Sequence, residues 1–269
     1  MQDINEVKAQ ICDVCHKMWQ LGWVAANDGN VSVKLEDGNI LATPTGISKS
    51  FITPEKLILI DSEGNVLEAA EGYRPSSEIK MHLKCYEKRP DVFSVIHAHP
   101  PGATGFAVAH KAMDMYNMIE DVAVIGSVPL TPYGTPSTVE VPNAIEPYLE
   151  EHDVMLLENH GALAFSDSLL NAYHKMESVE FYAQLLYQAK MLGGPKPLSE
   201  EQVQRLYEIR RKFGMKGKHP ADLCPNAKAG KPSCHSCGGN CSCGTVSSTA
   251  ANDAALIAEI TKKVLASLS

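Results

Sequence analysis

The sequence lacks an excess of positive charge: 24 lysines and arginines stand against 32 aspartates and glutamates, a formal net charge of -8. Without a basic field to gather phosphate backbones, nucleic acid is not an expected partner. No apolar run is long enough to cross a bilayer. The opening MQDINEVKAQ carries acids where a secretion signal needs a cationic and then an apolar segment. These absences predict a cytoplasmic protein with no membrane partner. Aromatic residues make up only 6%, but hydrophobic residues reach 44% and charged residues 21%, the usage of an ordinary folded chain. Cysteine is scarce through most of the chain, where only Cys12, Cys15 and Cys85 occur, and then crowds at Cys224, Cys234, Cys237, Cys241 and Cys243. In a reducing compartment such crowding points to metal or redox chemistry more than to structural disulfides.

What the chain does have is an alternation of strand and helix patterns. Ile4, Val7, Ile11, Val14 and Met18, spaced by three and four, predict a core-facing helix over residues 3–21. Residues 31–35 and 40–42 flank a turn and read as a hairpin, and residues 57–60 with 66–67 repeat the pattern. Further strands are expected at 92–98, 122–125 and 154–157, with helices at about 77–88, 101–110 and 138–151. A helical pattern over 169–192 stops at Gly193-Gly194-Pro195, and Ser199 opens another that runs to about Phe213. The interleaving predicts an α/β protein with a mixed sheet flanked by helices.

The densest chemical signal is His97-Ala98-His99 at the end of an apolar strand. Alternation puts both imidazoles on one face, where they can share a metal ion. The strand at 154–157 runs into Glu158-Asn159-His160-Gly161, which places a third histidine at a strand end. Three such histidines are the donor set of an open zinc site. A lone histidine is usually an ordinary polar residue; the pair and the third matching position favour the metal. Arg74-Pro75-Ser76-Ser77-Glu78 opens a helix whose free N–H groups suit a phosphate, although simple capping explains the same residues. The polar turns at residues 28–32 and 43–46 offer further donors that turn chemistry alone would also produce. Cys12 and Cys15, one helical turn apart, read as buried thiols.

In order, Gly29-Asn30-Val31-Ser32, Thr43-Pro44-Thr45-Gly46, Pro75-Ser76-Ser77-Glu78, His97-Ala98-His99 and Asn159-His160-Gly161 strongly resemble the class II aldolase and adducin head family over about residues 3–213. The resemblance implies a three-layer α/β/α sandwich with a mainly antiparallel sheet, assembled as a homotetramer with its active site at a subunit interface. It implies Zn2+ as cofactor, with His97, His99 and His160 as ligands and Glu78 as an acid/base that also touches the metal. Asn30, Thr45, Gly46, Ser76 and Ser77 would cradle a substrate phosphate. The activity implied is aldol cleavage of a sugar phosphate, L-fuculose 1-phosphate, to dihydroxyacetone phosphate and L-lactaldehyde. A pentulose-phosphate 4-epimerase on the same scaffold is the nearer alternative, and an adducin-like head without activity the farther one. A family tyrosine near the end of the catalytic body is matched here by Phe213, and Tyr116 lies one register from another. Tyr116 is therefore the remaining candidate for the acid that protonates the aldehyde oxygen.

The organisation expected is a catalytic domain at 1–213, a flexible Cys/Gly/Ser-rich linker at 214–251, and an amphipathic helix at 252–269. The linker is poor in large apolar residues and cannot bury a core unaided. Its cysteines fit no zinc-knuckle spacing well, so a flexible linker is the stronger expectation than a metal site. Within 253–268, Leu256, Ile257, Ile260, Val264, Leu265 and Leu268 share one face at helical spacing. A helix this short is marginal in water without a partner. The arrangement resembles encapsulation peptides that direct enzymes into bacterial microcompartments, which implies a shell protein or a co-cargo enzyme as partner.

Overall fold

The computed structural model describes residues 3–215, 217 and 218. The expected amphipathic helix, almost all of the linker and the five clustered cysteines lie outside the described residues.

The chain opens with α1 (Ile4–Gln20), started by an Asp3 carboxylate that accepts from the Asn5 N–H; Val7, Ile11, Val14 and Met18 are buried as their spacing requires. There follow β1 (Asn30–Lys34), β2 (Ile40–Ala42), β3 (Ile58–Ile60), β4 (Val66–Glu68) and α2 (Ile79–Lys88). Next come β5 (Ser94–Ala98), α3 (Pro101–Val108), α4 (Ile119–Val124), β6 (Leu130–Thr131) and α5 (Glu140–Ile145). The described elements end with β7 (Val154–Leu157), β8 (Gly161–Ser166), α6 (Leu169–Met191) and α7 (Glu200–Lys212). One eight-stranded sheet has the order β4-β3-β2-β1-β5-β8-β7-β6. Its neighbours are antiparallel except β6 and β7, which are parallel.

Both faces of this sheet are covered. Ile96, Val154, Leu156, Ala162 and Ala164 pack with α1, α3 and α6, whereas Val95, Met155, Leu157, Leu163 and Phe165 pack with α2 and α5. Alternate residues thus feed two cores, the α/β/α arrangement of a mainly antiparallel sheet. Each fully buried Ile or Phe contributes roughly 1.5–3 kcal/mol. At one end of β7 and β8, Asp153 bridges buried Arg89 (2.7 Å) and Lys175 (2.6 Å), and Lys175 also reaches Ser166. The histidine-bearing turn lies at the other end. Among the described residues no helix is long and apolar enough to cross a membrane.

Residues 122–125 are not a strand, contrary to the expectation from their β-branched run; Ile119–Val124 is helical. The carbonyl oxygens of Ala123 and Val124 at its end accept from the Arg210 guanidinium of α7. That donor for the helix's orphan carbonyls lies far along the chain, and local propensity cannot register it. Strand β8 likewise escapes the sequence reading, because Gly161 looks like part of a turn when it is already paired with Leu157. Cys12 and Cys15 are buried, and burial, foremost, pushes their thiols up to about 11 and about 12. They are not nucleophiles at neutral pH.

Asp121 on α4 is 4% exposed and its Oδ2 has no hydrogen-bond partner among the described residues. Burial, with the charge of Glu120, pushes its carboxyl up from 3.8 to about 8. The folded state therefore holds a proton that the unfolded chain releases above pH 4, so stability falls as pH rises from about 4 to about 8. Each unit removes up to about 1.4 kcal/mol. Asp121→Asn is expected to flatten this slope by about 1–3 kcal/mol between pH 5 and 8. Urea melts at the two pH values check it, and an unchanged slope contradicts it.

Candidate metal centre and anion pocket

The strand pairing assembles the site. In β1 and β5, Asn30 stands opposite His97, and in β5 and β8, Ala98 stands opposite Ala162. The β7–β8 turn places His160 beside the end of β5, and Asn159 takes the left-handed conformation there (φ 54°). Gly161 is needed for this approach: a Cβ would stand 2.5 Å from the Ala98 carbonyl oxygen and 2.6 Å from His99 Cδ2. Gly29 (φ 70°) serves the same end from β1, since its Cβ would meet the His97 carbonyl oxygen at 2.9 Å.

The three imidazole rings lie with centroids 4.5–5.2 Å apart. One ring nitrogen from each falls within 4.8 Å of the others. His97 is fully buried, and its Nδ1 lies 2.9 Å from the Ala162 carbonyl oxygen, which requires an Nδ1–H donor. That tautomer leaves an Nε2 lone pair directed at His99 Nε2, 3.1 Å away. The Nδ1 of His99 faces the Asp28 carboxylate at 3.5 Å, which favours an Nε2 lone pair on that ring as well. Two converging lone pairs repel unless a cation lies between them, so this donor set fits a metal ion. Burial, foremost, holds His97 well below the ordinary histidine value and lowers His99, which keeps both in the neutral form that a metal requires.

Glu78, the residue before α2, aims its carboxylate into the same space. Oε1 lies 3.2 Å from His160 Nε2 and Oε2 lies 3.7 Å from His97 Nε2. Burial, the largest influence, pushes this carboxyl up, but the close approach of the His160 and His97 rings and the Asn30 amide outweigh it and lower it on balance. It is ionised at neutral pH. Asn30 Nδ2 donates to Glu78 Oε2 (3.1 Å) and to Ser76 Oγ (3.4 Å), while Asn30 Oδ1 is buried without a hydrogen-bond partner among the described residues.

A polar cavity of about 190 Å³ adjoins this centre. Asn30, Thr45, Ser76, Ser77, Glu78, His99 and His160 are among the residues that line it. Thr45 reaches it because its N–H donates to the Arg74 carbonyl (2.9 Å) and Pro44 bridges Pro75. Gly46 does not line the cavity; it turns the chain beside Thr45 with φ 75°. Tyr116 is not brought to the site within this chain: its ring is buried edge-on against Tyr207 at 6.1 Å. Phe213 is exposed at the end of α7.

Two cavity residues escaped the sequence reading of function. Asp28 sits in a polar turn that the sequence marks only as a source of donors, and its place beside His99 depends on the pairing of β1 with β5. Ser137, whose Oγ donates to Ser77 Oγ (2.6 Å), arrives on a loop sixty residues away with no local signal.

A sandwich with three converging histidines, a partly buried carboxylate and a polar pocket has the parts of a metal-dependent enzyme. The chain belongs to the family of the class II aldolase and adducin N-terminal domain, whose profile matches residues 9–187. It is 32% identical over 213 residues to the L-fuculose phosphate aldolase of Escherichia coli strain K12, spanning 79% of this chain and 97% of that one. It is 30% identical to the 5-deoxy-D-ribulose 1-phosphate aldolase of Bacillus thuringiensis, over 78% of this chain and 98% of the relative. The solved structure of an L-fuculose 1-phosphate aldolase superposes with a TM-score of 0.72 at 30% identity, covering 80% of this chain and 99% of that one. The protein is a class II, metal-dependent lyase.

Proposed function

We propose that this protein is a zinc-dependent aldolase that cleaves L-fuculose 1-phosphate to dihydroxyacetone phosphate and L-lactaldehyde. The observation that carries the reading is the cluster of His97, His99, His160 and Glu78 at the wall of a cavity lined by Asn30, Thr45, Ser76 and Ser77. The three imidazoles would hold the zinc ion, with Glu78 able to join them at rest. When bound, the ion supplies a Lewis acid for the charge released toward the substrate carbonyl as the carbon–carbon bond breaks.

The chain's own groups do the rest. Ser76 and Ser77, ahead of α2, together with Asn30 and Thr45, offer hydroxyl and amide donors to the C1 phosphate and orient the ketose toward Glu78. Ionised Glu78 takes the proton of the C4 hydroxyl. The O–H electron pair becomes the new C4 carbonyl bond, the C3–C4 bond breaks, and the proton is returned to C3. In the reverse direction the same carboxylate takes the C3 proton and returns it to the aldehyde oxygen, a transfer for which Tyr116, buried against Tyr207 in its own chain, is not placed.

The C-terminal residues 253–268, outside the described residues, are proposed as a targeting segment joined by the 214–251 linker to the 1–213 catalytic domain. The partner is a bacterial microcompartment shell protein or a co-cargo enzyme, contacted through Ile257, Ile260, Val264 and Leu268. Lactaldehyde is small and reactive, and a protein shell would keep it near the enzyme that consumes it.

A substrate panel tests the reading. With zinc, L-fuculose 1-phosphate is expected to release a triose phosphate and ribulose 5-phosphate is not; full activity after metal stripping overturns it. A reporter fused to residues 238–269 is expected to concentrate in microcompartments and to become diffuse with Ile260→Asp. Diffuse signal from both fusions contradicts targeting.

A further inference from the structure

Lys49 begins a short turn of 3-10 helix and is 1% exposed. Its Nζ donates to the carbonyl oxygens of Ile47 (3.2 Å) and Asn27 (3.4 Å), with no carboxylate of the described residues in ion-pair contact. A buried ammonium held only by carbonyl dipoles is under-compensated, because removing an ion from water is costly unless a counter-charge replaces the hydration. Burial, foremost, lowers its pKa from the ordinary lysine value, while the charges of Asp28 and Glu78 oppose that change.

The position of this ammonium is informative. Asn27 lies in the turn that carries Asp28, Gly29 and Asn30, and Ile47 directly follows Thr45 and Gly46. Lys49 therefore ties together, from behind, the two loops that bring Asn30 and Thr45 to the polar cavity. Asn27, Asp28 and Glu78 line that same cavity. An anion seated on Asn30, Thr45, Ser76 and Ser77 would add to the counter-charge that Asp28 and Glu78 already supply.

We propose that Lys49 is a positioning residue of the phosphate subsite, holding the 27–30 and 44–47 loops in register and placing a positive charge behind the cavity, against its Asp28 and Glu78 carboxylates, without touching the substrate. The inference rests on the reading of the cavity as a phosphate site. The substrate class it selects is a phosphate monoester over the uncharged sugar. A unit charge several ångströms away in a partly buried setting changes anion affinity by about tenfold.

The test uses the full-length, zinc-loaded protein with inorganic phosphate as probe, followed by calorimetry in wild type, Lys49→Met and Lys49→Leu. Both variants are expected to bind phosphate about tenfold more weakly. Their zinc content should be unchanged and their ligand-free melting temperature equal or higher, because an apolar side chain replaces a buried charge. With the sugar 1-phosphate, KM should rise about tenfold while kcat changes less than about twofold, a split that a merely structural lysine would not produce. Phosphate affinity equal to wild type, or variants that cannot fold, overturn the proposal. Wild-type protein that binds no phosphate in competition with the sugar phosphate would instead refute the cavity reading, a result distinct from equal affinity in all three proteins.

Discussion

Alanine in place of His160 is expected to remove bound metal and activity together. The His160 ring stands on a turn and is not locked by strand pairing, so its loss should leave the sheet intact; the cleaner fold control is therefore at this position. His97→Ala should do the same to the metal, but it also opens a hole against the Ala162 carbonyl oxygen, which then lacks its 2.9 Å partner. Groups that only orient a metal ligand change affinity by about 10–100-fold, so removal of a ligand should exceed that range. Catalysis should fall by about a thousandfold or more, since loss of a single stabilising donor already costs about 10²–10³. Elemental analysis beside the cleavage assay checks both. A variant that lacks metal and keeps wild-type turnover would end the assignment.

Glu78→Gln is expected to separate binding from chemistry. Three imidazoles remain to hold the ion, so metal content should stay near that of wild type, whereas kcat should drop by about 10²–10⁴ because the amide cannot accept the C4 proton. The neutral side chain keeps the volume of glutamate and a partner for Asn30, which now lies 3.1 Å from Oε2. Near-normal turnover in Glu78→Gln would assign proton transfer to another group, with Asp28 at 3.5 Å from His99 as the nearest carboxylate to examine.

Some of the site was legible before any fold was known. His97 and His99 point together because strand alternation has a period of two, and a run such as Val-Ile-His-Ala-His states that period locally. The helix start at Ser76-Ser77-Glu78 and the turn at Asn159-His160-Gly161 are equally local. What could not be read is whatever depends on two segments meeting. The helix at Ile119–Val124 owes its end to Arg210, and β8 owes its existence to the edges offered by β5 and β7. Tyr116 looked available as an acid and is buried against Tyr207 in its own chain.

By itself the sequence determined which residues are candidates for the chemistry, the two periodicities that separate strands from helices, and an acidic balance of net charge -8. Only the tertiary structure decided that Asp28 backs His99, that Ser137 meets Ser77, and that Lys49 lies sealed behind the loops of Asn30 and Thr45. The reason is physical. Periodicity and capping act through neighbours a few residues apart, whereas the protonation and orientation of a buried group are set by the dipoles and charges that surround it. In this fold those arrive from strands, turns and helices far apart along the chain.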